Sequence, residues 1–177
     1  VKVFLNKIDP ANGAATGTAQ DWDTKNTPGA RARNIVRWAD GEFATWSKRY
    51  QRECQAFWDT RFWLCPPPTF TSLDFLQNGR KLRPNVRCGL HLTLVSASSA
   101  ADHMIDVVRL ADTETFFRSD SGHYDNRDID TAPTPAGFSQ RAHVHEVGHL
   151  LGMGHSNEGD AAGVNNNNVC YANDNVM

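Results

Sequence analysis

Four histidines, one glutamate and three glycines fall within residues 143–155, HVHEVGHLLGMGH. His145 and His149 are four residues apart, so on a helix they lie on one face, one turn above the other. Two imidazoles placed in this way can both bind one Zn²⁺. Glu146 is rotated by about 100° from His145 around the helix axis, which puts its carboxylate beside the metal. The spacing predicts a metal site in which one helix supplies two ligands and a general base.

A third ligand is expected beyond the end of that helix. Gly152 follows His149 by three residues, and His155 follows Gly152 by three. Glycine can end a helix in a left-handed conformation, so the chain can turn back and present His155 to the metal. Three protein ligands leave the fourth position open for water, as a catalytic zinc requires. A closed structural site would need a fourth ligand from His143, which points to the opposite side of the helix, or from Cys170.

The segment resembles the HExxHxxGxxH motif of the metzincin clan of zinc peptidases. The matching residues are His145, Glu146, His149, Gly152 and His155. Metzincins also have a Met-turn, which places a methionine beneath the zinc-binding histidines, and Met177 is the candidate here. The spacing from His155 to Met177 exceeds that of matrixins, so the subfamily stays open.

The resemblance implies a zinc-dependent endopeptidase with one catalytic zinc ion, bound by His145, His149 and His155. Glu146 would take a proton from the metal-activated water and deliver it to the leaving amine. The peptide substrate would lie extended along an edge strand, expected within residues 104–120. Two alternatives stay open: a toxin-like peptidase domain of a larger secreted bacterial effector, and a non-catalytic binding module organised by zinc.

An α+β fold is expected to position these residues. The opening VKVFLNKI alternates apolar and polar residues and predicts a strand, and an apolar stripe predicts a long helix over residues 29–58 that starts after Thr27-Pro28. The resemblance implies a metzincin-like two-lobed domain with a mixed twisted sheet, a long backing helix, an active-site helix and a short irregular C-terminal lobe. We expect one catalytic domain, 1–177, with an N-terminal lobe over 1–152 and a C-terminal segment over 153–177.

Strands are expected to dominate the middle of the chain. FTSLDFL, NVRCGLHLTLVSA and HMIDVVRL all have strand composition. Asn78-Gly79 predicts a tight turn, and the prolines of residues 65–68 exclude a helix or a central strand. Residues 113–135 predict an edge strand with loops, and the active-site helix is expected to start at the N-cap Ser139 and to reach Leu151.

The acidic cluster in the polar segment before that helix has the carboxylate ligands that calcium prefers, but not the order of an EF-hand loop, which favours a solvated loop. Its members are Asp120, Asp125, Asp128 and Asp130.

Composition excludes several classes of partner. The net charge of -2 over 177 residues gives no reason to expect nucleic acid or an anionic membrane. No apolar run approaches the roughly 20 residues of a transmembrane helix. The chain begins at Val1 without a signal peptide, and we expect a mature, monomeric protein or an excised domain.

The four cysteines form an even set without a CxxC pair. For a secreted, extracellular or periplasmic protein they predict two disulfides, with Cys54–Cys65 and Cys88–Cys170 as the preferred pairing. Four buried free thiols in a cytosolic protein are the alternative.

Overall fold

A computed structural model describes residues 1–20, 32–64, 69–115, 117, 119–133 and 139–152. The predicted ligand His155 and the predicted Met-turn residue Met177 lie outside the described residues, as do the Pro-rich residues 65–68 and the predicted helix start at Thr27-Pro28. The helices are α1 (Glu42–Trp58) and α2 (Ala142–Leu150). The strands are β1 (Lys2–Ile8), β2 (Thr16–Gln20), β3 (Ala32–Val36), β4 (Phe62–Leu64), β5 (Phe75–Gln77), β6 (Arg80–Leu82), β7 (Val86–Cys88), β8 (Thr93–Leu94), β9 (His103–Val108), β10 (His123–Asp125), β11 (Ala132–Pro133) and β12 (Ser139–Gln140).

The central sheet has four strands in the order β10-β9-β1-β8, and all three neighbouring pairs are parallel. Parallel neighbours require a crossover connection, and α1 lies in the crossover between β1 and β8. The other strands form antiparallel pairs: β2-β3, β4-β7, β5-β6 and β11-β12. Helices together with parallel and antiparallel strands confirm a chain of mixed α and β structure. The finer two-lobed, metzincin-like architecture stays a prediction.

The main core lies between this sheet and the two helices. On α1, buried side chains recur every four residues, so they form one face: Trp46, Tyr50, Cys54 and Trp58. That face packs against inward residues of β1 and β9 and against Val144 and Val147 of α2. Helix α1 therefore backs both the sheet and α2.

The predicted start of the first helix is wrong. Residues 32–36 form β3, which pairs with β2 from Thr16↔Val36 to Gln20↔Ala32. Ile35 fitted the helical stripe, but it packs in a second core cluster with Val108 and Leu110. The helix starts only at Glu42, after Gly41 with a φ of 76°. The glycine thus marks the helix start, whereas the sequence interpretation placed it within the helix.

Most of the predicted strands are found, with one correction. Lys2–Ile8 and His103–Val108 are strands, and Asn78-Gly79 is the turn of the β5-β6 hairpin, with φ values of 51° and 74°. Two consecutive positive φ values match a type I′ turn. The predicted substrate edge within residues 104–120 is wrong, because β9 lies between β1 and β10. The edge on that side of the sheet is β10.

The active-site helix is shorter at its start than predicted. Ser139 belongs to β12, where it pairs with Pro133, and the helix begins at Ala142 after an extended Arg141. Pairing with β11 keeps Ser139 extended, so it does not cap the helix. The predicted C-terminal end is within one residue of the observed one, since α2 ends at Leu150.

The predicted disulfides are not found. Cys54 and Cys88 carry free thiols, and their predicted partners Cys65 and Cys170 lie outside the described residues. Cys54 is buried in the α1 face and its thiol donates to the carbonyl of His143 at 3.6 Å. Among the described residues, no helix is long and apolar enough to cross a membrane.

Candidate metal centre

Helix α2 brings three donor side chains together. His145, Glu146 and His149 each offer one ligand atom, and these atoms all lie within 4.8 Å of one another. The two imidazole rings are 4.9 Å apart at their centroids and nearly perpendicular, at 85°. One helical turn therefore gathers a group that can hold a metal ion, as the sequence predicted from the four-residue spacing.

The helix ends in the way that a third ligand from beyond it would need. Gly152 has a φ of 86°, and its N–H donates to the carbonyl of His149 at 2.9 Å. Among the described residues, no atom lies within 4 Å of the position that a Cβ would take on Gly152. The left-handed backbone is therefore the feature that calls for glycine here. Gly152 thus has the left-handed conformation predicted for it, three residues before His155.

Two side chains of α1 bind carbonyls in the first turn of α2. Trp58 Nε1 donates to the carbonyl of Val144 at 2.8 Å, and the thiol of Cys54 donates to that of His143. Buried hydrogen bonds of this kind cost more when broken than they contribute when made, because the orphaned partner stays buried. They fix α2, and with it the three donor side chains, on α1.

His143 does not join the metal group, in agreement with its predicted direction. Its buried ring lies with Nδ1 2.8 Å from the carbonyl of Asp128 and Nε2 3.4 Å from Oε2 of Glu53. Burial lowers the pKa of His143, while the Asp128 carbonyl and the Glu53 carboxylate act in the opposite direction. The residue joins α2 to α1 and to the loop before β11.

Glu146 has the electrostatics of a proton acceptor. Burial raises the pKa of Glu146 to about 7, and the negative charge of Asp120 acts in the same direction. A carboxyl group with a pKa near neutrality can both take up and release a proton at physiological pH. Its environment therefore fits the acid-base role that the motif assigns to it.

Two tyrosines behind the site were not predicted as part of it. Tyr50 and Tyr124 are fully buried, with ring centroids 5.8 Å apart. The Glu146 charge lies near enough to add to the rise that burial causes in the pKa of both phenols. Tyr50 lies within the apolar stripe that predicts the first helix, and Tyr124 has no sequence signal, because its place beside α1 depends on the sheet.

The acidic cluster does not form a calcium site among the described residues. The carboxylate of Asp120 contacts His123 Nδ1 at 2.7 Å, that of Asp130 pairs with Arg49, and that of Asp125 accepts from the N–H of Arg127. Asp128 accepts from Ser119 Oγ and from the N–H of Asp125. The four side chains turn to separate partners, and the only donor group of metal-binding size in the described ranges is the one on α2.

The chain matches no protein-family model, no curated protein and no solved structure. The metzincin resemblance therefore rests on residues 145–155 and on Met177, and the structure adds the convergent His-Glu-His group. The identity of the metal, the peptidase activity and the Met-turn stay predictions.

Proposed function

We propose that the protein is a zinc-dependent endopeptidase. The observation that carries the proposal is the convergence of His145, Glu146 and His149, with ligand atoms within 4.8 Å. Imidazole nitrogens arranged with an open position are the typical ligands of catalytic zinc. The left-handed Gly152 supports His155 as the third ligand, since it allows the chain to turn back toward α2.

The chain's own residues divide the work between binding and proton transfer. Zinc, when bound, supplies a Lewis acid that polarises a carbonyl and lowers the pKa of water toward about 7. His145 and His149 hold their rings on one helix face, anchored through α1. Glu146 would accept a proton on its carboxylate and return it to the leaving amine.

The substrate is proposed to be an extended polypeptide. β10 is the end strand of the four-stranded sheet, and Asp120, just before it, is near enough to Glu146 to affect its pKa. The outward backbone groups of β10 are already bonded within the chain, those of His123 to Asp120 and those of Asp125 to Asp128, so β10 is not proposed as the strand that pairs with the peptide. Backbone pairing at a sheet edge holds a peptide without requiring a particular sequence.

The rest of the proposal follows from the resemblance. Met177 would underlie the histidines, and residues 1–177 would act as one catalytic domain, alone or within a larger secreted effector. An extracellular or periplasmic location is part of the proposal, although the free thiols of Cys54 and Cys88 lend it no support.

One observation favours a second candidate, a binding module organised by zinc. The carboxylate of Glu146 lies within the same 4.8 Å group as the imidazole nitrogens, so it could serve as a metal ligand. A Glu146 that ligates the metal would not be available as the general base.

Zinc content and casein cleavage, measured in parallel, test both candidates. The variants are Glu146→Gln and His149→Ala, with His91→Ala as the matched control at an exposed histidine outside the group. We expect one zinc per chain and chelator-sensitive cleavage for the wild type and the control. Glu146→Gln should keep zinc and lose cleavage, and His149→Ala should lose both.

Other outcomes contradict the proposal. Loss of zinc from Glu146→Gln would make Glu146 a ligand and remove the general base. Stoichiometric zinc without cleavage of any protein tested would favour the binding module. A wild-type protein without zinc would show that the histidine segment is not a zinc site.

A further inference from the structure

Residues 61–64 and 69–88 together are called the arm below. The arm contains the β4-β7 pair, called its base, and the β5-β6 hairpin. Of the eight large hydrophobic side chains exposed in the described part of the chain, only Met104 lies elsewhere. The seven in the arm are Trp63, Phe70, Leu73, Phe75, Leu76, Leu82 and Val86. A concentration of exposed apolar side chains in one part of the chain is typical of an interaction site.

The base of the arm is fixed to the C-terminal end of α1. The carboxylate of Asp59 accepts from the N–H of Leu90 at 3.0 Å, and Arg87 Nε donates to the carbonyl of Thr60 at 3.4 Å. The β4-β7 pairs run from Phe62↔Cys88 to Leu64↔Val86. The exposed side chains are therefore presented by an ordered attachment to the helix that backs the metal group.

Apolar side chains occupy both faces of the hairpin. Phe75 pairs with Leu82, and Leu76 pairs with Lys81 on the opposite face, because neighbouring residues of a strand point to opposite sides. Every residue of β5 and β6 is exposed, and Leu76 is 76% exposed. A folded protein partner would cover one face of such a hairpin, whereas immersion in an apolar medium covers both.

The arm is also cationic, although the whole chain carries a net charge of -2. It contains five Lys and Arg residues and one carboxylate, that of Asp74. The Asp74 side chain is only 6% exposed and is held by Arg83 at 2.6 Å and Lys81 at 2.9 Å. The charge that the arm presents to solvent is therefore positive, a feature hidden in the average over the chain.

We propose that the arm docks on an anionic lipid bilayer, with its apolar side chains in the interfacial region and its cations against the headgroups. Exposed aromatic and aliphatic residues interspersed with Lys and Arg are the composition of interfacial membrane anchors. Anionic headgroups attract basic segments close to the surface. The inference goes beyond the proposed peptidase activity and does not depend on it.

Cosedimentation with vesicles of phosphatidylcholine, with and without phosphatidylserine, tests the proposal on the full chain. The protein should bind vesicles that contain phosphatidylserine and bind the neutral ones far less. The double variant Phe75→Ser/Leu76→Ser should lose at least about tenfold in vesicle affinity, since it removes two large apolar side chains. Met104→Ser, at a side chain 56% exposed on β9, is the matched control and should bind as the wild type does.

A charge-reversal pair tests the electrostatic part and does not depend on the apolar variants. Arg80→Glu in the hairpin and Lys48→Glu on α1 change the net charge equally at exposed positions. Only Arg80→Glu should weaken binding to the anionic vesicles by several-fold, and added salt should weaken binding by the wild type.

Absence of vesicle binding would overturn the proposal, and so would equal binding to neutral and anionic vesicles. Arm variants that bind like their controls would overturn it too. If the arm variants slowed cleavage of a protein substrate while the wild type bound no vesicles, the arm would be a protein-binding surface and the lipid proposal would be wrong. The peptidase proposal would survive each of these results, because it is tested separately by zinc content and by cleavage.

Discussion

Two tryptophans five residues apart show how differently this chain uses the same side chain. Trp58, at the end of α1, is 5% exposed and donates a hydrogen bond to Val144 of α2. Trp63, in β4 at the base of the arm, is 60% exposed. Helix α1 buries the ring of Trp58 and so helps to fix the metal group on α2, while the arm exposes the ring of Trp63 to solvent. Hydrophobic residues therefore do not identify the core by themselves; their periodicity and partners do.

The largest expected difference comes from removing each tryptophan. Trp58→Ala should lower the free energy of unfolding by about 3–5 kcal/mol, because it leaves a cavity and an unpaired carbonyl. Trp63→Ala should change it by less than about 0.5 kcal/mol, as is usual for exposed positions. Urea denaturation followed by circular dichroism measures both. Equal losses would show that the arm is part of the cooperative core.

Metal binding should stabilise the region around helix α2 and leave the arm unchanged. Zinc at about 100 times its dissociation constant should add about 2.7 kcal/mol to the free energy of unfolding. In hydrogen exchange, protection should rise over residues 142–152 and stay unchanged over 75–82. His149→Ala serves as the control, since it should show neither effect. Protection that rises equally in the arm would contradict the separation of the two regions.

A pH effect is expected at Asp128, between β10 and β11, and not in the arm. Burial and the neighbouring Asp125 raise the pKa of Asp128 to about 8, so the folded protein binds more protons than the unfolded chain between about pH 4 and pH 8. This contribution to stability is present below about pH 4 and is lost as the pH rises through about 8. Each unit of the rise corresponds to about 1.4 kcal/mol.

Melting temperatures at pH 5 and pH 8, measured without metal, test this effect in wild type and Asp128→Asn. Going from pH 5 to pH 8 should lower the melting temperature of the wild type more than that of Asp128→Asn, because the asparagine amide cannot ionise. Asp74→Asn is the matched control in the arm and should leave the wild-type difference unchanged, since the pKa of Asp74 is lowered by its bonds to Arg83 and Lys81. If the melting temperature of Asp128→Asn changed with pH as much as that of the wild type, the pH effect would not come from Asp128.

The smallest difference is expected between two glycines with nearly the same backbone. Gly41 and Gly79 have φ values of 76° and 74°, and no atom of the described part of the chain lies within 4 Å of either Cβ position. Alanine at Gly41 should cost about 1 kcal/mol of global stability through backbone strain alone. Alanine at Gly79 should stay within about 0.5 kcal/mol if the exposed hairpin opens before the core. Equal losses in denaturant unfolding would show that the hairpin and the core unfold together.

Local patterns predicted the elements that depend on few residues. Alternation predicted β1, Asn78-Gly79 predicted the hairpin turn, and the spacing of His145 and His149 predicted the convergent donor group on α2. In each case the pattern that carries the signal lies within one strand, one tight turn or one turn of helix. The signal is therefore contained in neighbouring residues.

The features that the sequence did not yield depend on distant partners. The stripe through Ile35 fits a helix, but pairing with β2 makes it a strand. Ser139 has the right chemistry for an N-cap, yet β11 holds it extended. The order of the parallel sheet, and with it the position of β10 as an edge, depends on strands far apart in sequence. No local pattern encodes such pairings.

The central position of β1 has a consequence for how the chain acquires its structure during synthesis. Its Val3 pairs with His103, so about 100 residues must be made before the first strand meets this neighbour. At roughly 5–20 residues per second, β1 would wait on the order of 5–20 s for its partner strand. Helix α1 contains its own contacts and can form during that interval. The ribosome thus releases the middle of this sheet early and one of its flanks late, which makes β1 the segment in greatest need of protection before the fold closes.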